Sequence, residues 1–220
     1  MTLQCGSDGQ LLCFPTTGSL QARCGCGRGW SDDFSGSLHS DWDLGDWQLH
    51  SDGYIHAAGN AGSASRSTSK GCASTAAFEG QIYLDTYQAT TFYIRFQANH
   101  DCWPYMEIRM HMPYSNVMSD WWIELYDVVA PGASNFIASD LAGNRLKHRE
   151  WSGFSCSYSG GNMTVTTSSP HFGDGTWYDG SAGSAYSDYI GALIRFQATT
   201  NPYYHTRLDD LEMTYTHYDP

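Results

Sequence analysis

Lysine is the residue type that this sequence most nearly lacks, because Lys70 and Lys147 are the only two in 220 residues. Charged residues of both signs make up 15% of the chain, and the acidic excess gives a net charge of −12. Such a surface repels phosphate backbones and anionic lipid headgroups. We therefore expect neither nucleic acid nor a membrane surface among the partners.

Long hydrophobic runs are also absent. No stretch approaches the roughly 18 apolar residues that a transmembrane helix requires. The first residues, Met1–Cys5, have neither a basic patch nor an apolar core, so we expect no signal peptide. We expect a protein of an extracellular assembly or a virion surface, which leaves the cell by lysis or by a specialised route.

What the sequence does contain favours β structure. Aromatic residues make up 15% of the chain and glycine occurs 23 times, a mixture typical of pleated surfaces and tight turns. Apolar and polar residues alternate strictly in Thr91–Gln97 and in Tyr105–Met112. The latter places Glu107, Arg109 and His111 on one face, as a cross-strand ladder of charges. Period-two alternation predicts half-buried strands.

A pentapeptide occurs twice. Ile94–Ala98 and Ile194–Ala198 have the same sequence, Ile-Arg-Phe-Gln-Ala. A single repeat of five residues does not indicate a repeat protein. We interpret it as two strands in similar sheet environments.

Residues 1–30 form a predicted N-terminal arm that is too short and too rich in glycine to build a core. Four cysteines lie there, Cys5, Cys13, Cys24 and Cys26. They can form disulfides in an oxidising compartment, remain reduced and buried, or bind zinc. Zinc is not expected, because one residue between Cys24 and Cys26 is tighter than the usual knuckle spacing. Seven cysteines in total leave at least one thiol free or paired between chains.

Three blocks of sequence occur in a familiar order: Ser31–Leu38 followed by Trp42 and Trp47, then Trp151–Val165, and finally Tyr189–Ile194 with Arg207–Tyr215. This order resembles the concanavalin A-like lectin/glucanase superfamily, which includes laminin-G-like jelly rolls. The resemblance, over about residues 31–218, implies an all-β jelly roll of two antiparallel sheets in a domain of residues 31–220, with its first and last strands close together. The superfamily contains lectins, carbohydrate-binding modules, glycosidases, lyases and virion modules, so the fold alone does not give the function.

Two acidic pairs are candidate ligands for a structural calcium ion: Asp32 with Asp33, and Asp209 with Asp210. Calcium prefers carboxylate and carbonyl oxygens. The resemblance implies such a site where the aspartate of the last strand meets the first strand. The alternative is that these residues form hydrogen bonds at the strand ends.

The sequence lacks the catalytic patterns of the superfamily's enzymes. Glycosidases resembling laminarinases carry Glu-x-Asp-x-Glu on one strand, but here Trp122 lies between Asp120 and Glu124. Those two carboxylates are about 13 Å apart on an extended strand, too far for either glycosidase geometry. The Gln-Ile-His motif of the lyases is also missing. We therefore expect a non-catalytic protein, with a glycosidase or lyase as the minority alternative.

The strand that starts at Asp120 offers the preferred glycan-binding residues, Asp120, Trp122, Glu124 and Tyr126. An aromatic face for a sugar ring and polar groups beside it are what a sugar site needs. Our leading hypothesis is a non-catalytic jelly-roll module displayed on a virion or fibre and anchored to other subunits through its arm, a role that can coexist with polysaccharide binding through this strand. The alternative is a soluble lectin-like protein.

Overall fold

The alternating segments become strands throughout the described part of the chain. The structure, a computed structural model, describes residues 4–5, 11–12, 27–57, 62–66, 72–84, 90–97, 104–112, 122–141, 149–169, 173–183, 186, 188–191, 193–198 and 206–217. The strands are β1 (Gln4–Cys5), β2 (Leu11–Leu12), β3 (Gly27–Asp32), β4 (Trp42–Asp43), β5 (Trp47–His50), β6 (Tyr54–Ala57), β7 (Gly62–Arg66), β8 (Cys72–Leu84), β9 (Thr90–Gln97), β10 (Tyr105–Met112), β11 (Trp122–Ala130), β12 (Ala133–Leu141), β13 (Trp151–Ser159), β14 (Asn162–Ser169), β15 (Gly173–Ser181), β16 (Ile190–Gly191), β17 (Leu193–Ala198) and β18 (Thr206–His217). None of the described residues forms a helix long and apolar enough to cross a bilayer.

Two antiparallel sheets form the sandwich. The front sheet has the strand order β12-β11-β10-β9-β17-β7-β4. The back sheet has the order β15-β14-β13-β8-β18-β6-β5, with β16 paired to β8 and β3 paired to β18. The predicted all-β fold of two stacked antiparallel sheets is therefore confirmed.

The core fills the space between the two sheets. In β9 the side chains of Phe92, Ile94 and Phe96 are buried, as their alternation predicted. The ring of Phe196 in β17 lies 6.3 Å from the ring of Phe92 beside it. The same ring lies 5.7 Å from that of Phe78 in the back sheet, so Phe196 joins the two layers.

The two copies of the repeated pentapeptide pair with each other. In the ladder between β9 and β17, Ile94 lies opposite Phe196 and Phe96 lies opposite Ile194. Arg95 therefore lies directly opposite Arg195, at the centre of a local twofold relation. The prediction of similar environments is confirmed, and the structure adds that the two strands are neighbours.

The first and last strands of the sandwich are also neighbours. Trp30 in β3 lies opposite Met213 in β18 and is buried. A Cβ atom at Gly29 would lie 2.8 Å from the carbonyl oxygen of Met213, so this close approach requires glycine. The sandwich thus begins at Gly27, four residues before the predicted boundary at Ser31.

The described part of the remaining arm consists of β1 and β2, which form a separate two-stranded sheet. The other residues up to position 26 lie outside the described part of the chain. That this arm mediates assembly stays a prediction.

A hairpin joins β13 to β14 in the back sheet. Its two-residue turn consists of Gly160 and Gly161, with φ angles of +55° and +79°. Positive φ at both positions is the type I′ turn, whose twist matches that of the strands it connects. This is the hairpin that the resemblance implied.

Candidate functional site

The outward side chains of four central strands of the front sheet form a surface that we call the front face. It consists of Thr91, Tyr93 and Arg95 of β9, Tyr105, Glu107, Arg109 and His111 of β10, Trp122, Glu124 and Tyr126 of β11, and Arg195 and Gln197 of β17. Strand alternation places these side chains on one side of the sheet, because their neighbours in sequence fill the core. Polar, charged and aromatic groups therefore meet on a rigid surface.

At one end of the front face, His111 connects three neighbours. Its ring stacks on that of Trp122, with centroids 4.8 Å apart and planes within 17° of parallel. Its Nε2 donates a hydrogen bond to Glu124 Oε2 at 2.7 Å, and its Nδ1 lies 3.2 Å from Thr91 Oγ1. Contacts on both ring nitrogens and on one ring face fix the orientation of this imidazole, and with it that of Trp122.

Next to this group, Arg109 lies over the ring of Tyr126. The guanidinium carbon is 3.8 Å from the ring centroid, a cation–π contact. Burial alone would lower the pKa of Arg109, but the hydrogen bond and charge of Glu107 outweigh it and raise the pKa above its ordinary value. Burial and the charge of Glu124 raise the pKa of Tyr126, against the opposing effect of Arg109. At neutral pH the face therefore presents a charged guanidinium and a protonated phenol.

Glu107 is the most buried charged group of the front face, with only 1% of its surface exposed. Its Oε2 accepts a hydrogen bond from Arg95 Nε, and its Oε1 accepts one from Arg109 Nε. The Arg95 guanidinium also lies over the rings of Tyr93 and Tyr105. The predicted ladder of charges on this strand is confirmed, and it extends to Arg95 on β9 and Glu124 on β11.

This arrangement does not supply the pair of carboxyl groups that a glycosidase uses. Both oxygens of Glu107 are bound to arginine and shielded from solvent. Among the outward side chains of β9, β10 and β11, the only other carboxylate is Glu124, which is bound to His111. The geometry of the described residues favours binding over hydrolysis.

Three of the four predicted glycan-binding residues stand side by side on β11, namely Trp122, Glu124 and Tyr126. Asp120 lies outside the described residues. Local sequence does not show that Tyr93, Arg95 and Arg195 belong to the same surface, because only the pairing of β9 with β10 and β17 brings them there.

The outer surface of the back sheet has an aromatic cluster of its own. Arg207 lies over the rings of Tyr83 and Tyr54, with its guanidinium carbon 4.4 and 5.0 Å from their centroids. Trp151 packs against both tyrosines. No pattern in the sequence links these four residues, which come from four strands.

The predicted calcium ligands line or adjoin a cavity of about 780 Å³ where β3 meets β18. Asp32 has both oxygens engaged, since Oδ1 accepts the Phe34 N–H and Oδ2 accepts the Trp42 indole N–H. Asp33 Oδ1 accepts the Ser35 N–H and hydroxyl, which lower the pKa of Asp33. Within the described residues no three His, Cys, Asp or Glu side chains group as a metal site requires. Asp32 and Asp33 therefore form the hydrogen bonds of the alternative interpretation, and calcium binding by these aspartates stays a prediction.

The negative charges of these residues still interact. Burial raises the pKa of Asp209, the hydrogen bond from the Asp210 N–H opposes this, and the charges of Asp210 and Asp33 add to the increase. Because the folded state favours the protonated form, Asp209 destabilises the fold as the pH rises through the pKa. We expect Asp209→Asn to raise the melting temperature at pH 7, since the amide oxygen can still accept the Asp210 N–H.

The gain from Asp209→Asn should vanish near pH 3, where the aspartate is itself protonated; thermal melts at the two pH values measure this. The matched control is Asp52→Asn, whose aspartate is exposed beside His50 and should melt like the wild type at both pH values. A lower melting temperature for Asp209→Asn at pH 7 would contradict the conclusion that burial and neighbouring charges make the ionised Asp209 destabilising.

Calcium binding stays a prediction with its own measurement. A site filled at a hundredfold excess over Kd stabilises the native state by about 2.7 kcal/mol. The melting temperature in millimolar calcium should then exceed that in chelator, and Asp209→Asn should remove the difference. Equal melting temperatures of the wild type in calcium and in chelator exclude the site.

The cysteine hypotheses fall mostly outside the described residues. Of the four candidate cysteines only Cys5 is included, in β1, while Cys13, Cys24 and Cys26 are not. Disulfide or zinc binding in the arm therefore stays a prediction. In the sandwich, Cys156 is a free thiol in the core, and burial raises its pKa well above its ordinary value.

Solved structures of low sequence identity share this architecture. The CBM2 module of the evolved Dit protein of Lactobacillus casei BL23 phage J-1 matches with a TM-score of 0.62 and 11% identity, over 88% of this chain and 99% of the module. Peanut lectin matches with a TM-score of 0.61 and 10% identity, over 88% of this chain and 99% of the lectin. The VIP36 lumenal domain, in its form bound to Ca²⁺ and Man3GlcNAc, matches with a TM-score of 0.58 and 11% identity, over 82% of this chain and 85% of that domain.

In sequence, no protein-family model matches the chain and no curated protein matches it. The structural likeness covers 82–88% of this chain, and the chain has two sheets in the antiparallel arrangement that the resemblance implied. The chain therefore has the concanavalin A-like jelly-roll fold of these lectins and carbohydrate-binding modules.

Proposed function

We propose that this chain is a non-catalytic carbohydrate-binding module whose ligand lies across the front face. The observation that carries the proposal is the row of Trp122, Glu124 and Tyr126, because a side chain of β10 holds each of them. His111 contacts Trp122 and Glu124, and Arg109 covers Tyr126. Side chains that are already ordered lose little conformational entropy when a ligand binds.

The chemistry of the front face supports a sugar. Tyrosine and tryptophan offer apolar ring surface, while Glu124, His111 and Tyr126 offer hydrogen-bonding groups at the same level of the sheet. The structural likeness to lectins and to a carbohydrate-binding module supports the same function. Burial of Glu107 between two arginines supports a module without hydrolytic activity.

Removing the aromatic side chains of β11 tests the proposal. A glycan array first identifies a ligand, and calorimetry then measures its affinity for Trp122→Ala and Tyr126→Ala. We expect each variant to lose about tenfold or more in affinity, the loss typical of truncated anchor residues in a binding site. The glycans on the array should not be cleaved.

The matched control is Tyr54→Ala, an aromatic truncation on the back sheet, which should bind the glycan as the wild type does. Loss of binding in Tyr54→Ala with full binding in Trp122→Ala would move the site to the other sheet. Turnover of a glycan that disappears in Glu124→Gln would replace the binding function with an enzymatic one.

We also propose that the module is displayed on an extracellular assembly such as a virion or fibre, attached through residues 1–26. The support is the likeness to a module of a phage Dit protein and the separate sheet of β1 and β2. Glycine-rich segments lose the most backbone entropy on ordering, so a segment of this composition is stabilised best by a partner surface.

Deleting residues 1–26 tests the assembly role. The deletion leaves β3 in place, so Trp30 still packs in the core and β18 keeps its neighbour. We expect a folded monomer whose melting temperature is close to that of the full chain, while the full chain forms higher-order species in light scattering. An insoluble or unfolded truncation would show that the arm is part of the core.

A further inference from the structure

Two arginines of like charge face each other at the centre of the front face. Arg95 and Arg195 are direct partners in the ladder between β9 and β17. Directly opposed residues of an antiparallel pair have Cβ atoms about 5 Å apart, and like charges at this distance are destabilising. The carboxylate of Glu107, which binds Arg95, offsets part of this repulsion, and an anionic ligand would add to that stabilisation.

Arg109 on the adjoining strand adds a third guanidinium, so the front face contains three of the nine arginines of the chain. Among its described residues only two carboxylates, Glu107 and Glu124, share it, although the whole chain has 23 acidic residues against 11 basic ones. The front face is thus a positively charged region on a strongly acidic protein. A face that served only for solubility would be expected to carry a net negative charge, as the whole protein does.

The arginines are held in place before any ligand arrives. Glu107 accepts hydrogen bonds from the Nε–H groups of Arg95 and Arg109, and each guanidinium also makes a cation–π contact with a tyrosine ring. Each guanidinium has four further donors on its terminal nitrogens, in the planar arrangement that matches an oxyanion. Their side chains are 16% and 24% exposed, so a ligand on this surface reaches them.

We propose that the front face binds a glycan that carries oxyanion groups, carboxylate or phosphate, and that its three arginines, Arg95, Arg109 and Arg195, hold these groups. This inference rests on the proposed glycan-binding function and adds the class of glycan. Carboxylate and phosphate share the chemistry that a guanidinium recognises. A nucleic acid is disfavoured, because a continuous phosphate backbone would extend past the face onto an acidic surface.

The test compares two forms of one sugar chain. Oligogalacturonate carries a carboxylate on every ring, and its methyl-esterified form has the same rings without the charge. Calorimetry should give an affinity about tenfold or more higher for the charged form, because hydrogen bonds between charged groups are the strong ones. A ribitol-phosphate polymer in a parallel titration shows whether phosphate binds better than carboxylate. The preference for charge should decline as the salt concentration rises.

Arg195→Gln is the main variant, since this residue is not one of the two that bind Glu107. It should lower the affinity for oligogalacturonate by a much larger factor than the affinity for the esterified form, whereas Arg195→Lys should keep part of the preference. Arg207→Gln on the back sheet makes the same change of charge and should behave as the wild type. Thermal melts confirm that each variant is folded.

The outcomes separate the two proposals. Equal affinity for the charged and esterified forms overturns the anionic ligand and leaves the glycan-binding function in place. Binding of no glycan at all overturns both. Tighter binding of a single-stranded oligonucleotide than of any glycan overturns the ligand class.

Discussion

Replacing Glu107 by alanine is expected to lower the free energy of unfolding by about 3–5 kcal/mol, the usual cost of removing one partner from a buried ion pair. Glu107 is almost wholly buried, and both of its oxygens accept hydrogen bonds from arginine. Without it, the guanidinium groups of Arg95 and Arg109 lose the carboxylate that binds both of them. The loss comes from uncompensated positive charge more than from the missing contacts.

Urea denaturation of matched variants measures this effect. Glu107→Gln keeps the size of the side chain and one acceptor oxygen, so its loss should be intermediate. Glu124→Ala is the control, because the pair of Glu124 with His111 is partly exposed and such pairs contribute up to about 1 kcal/mol. If Glu107→Ala is no less stable than Glu124→Ala, water solvates the two arginines well enough without Glu107. The prediction that Glu107 is central to the stability of this sheet would then be wrong.

The second large effect is expected in the core. Phe196→Ala should cost about 3–5 kcal/mol, the range for truncating a buried phenylalanine. Its ring lies between Phe92 of the front sheet and Phe78 of the back sheet, and it also stacks near Trp42. Truncation therefore leaves a cavity between the two layers, which rigid neighbouring strands cannot close.

The control for Phe196 is Phe136→Ala on the edge strand β12, where the ring is 56% exposed. Its loss should stay below about 1 kcal/mol, the span of strand propensities. Urea denaturation compares the two variants by their midpoints, provided that the slope of the unfolding free energy against urea concentration is the same in both. A similar loss in the two would mean that Phe196 does not connect the sheets.

Much of the front sheet could be predicted from local sequence. Strict alternation placed Phe92, Ile94 and Phe96 in the core, and it placed Trp122 and Tyr126 on the opposite side of the sheet. These inferences need only the two-residue period of a strand. The same period predicted that Glu107 and Arg109 share a face.

The burial of Glu107 could not be predicted in this way. Its position in β10 is outward, and it is shielded only because Arg95 and Arg109 extend across it. Arg95 lies on another strand, and its position opposite Glu107 depends on the register between β9 and β10. Register between strands is set by the whole sheet, so a single segment does not contain it.

The start of the sandwich was missed because its signal resembles that of a loop. From sequence, Gly27 and Gly29 are assigned to the arm. In the structure, however, position 29 must be glycine, because β3 there approaches the backbone of β18 too closely for a Cβ atom. A glycine chosen for close packing and one chosen for flexibility look alike in sequence. Only the partner strand distinguishes them.

The pairing of β3 with β18 has a further consequence for how this fold can be connected. Gly27 lies opposite Thr216, and partners in an antiparallel ladder have Cα atoms about 5 Å apart. The chain therefore enters and leaves the sandwich at neighbouring positions. For this reason the sandwich can be inserted into a surface loop of another protein without moving the two ends of that loop apart. A short linker across this point, with new termini at the exposed Gly160–Gly161 turn, should give a circular permutant with the same core.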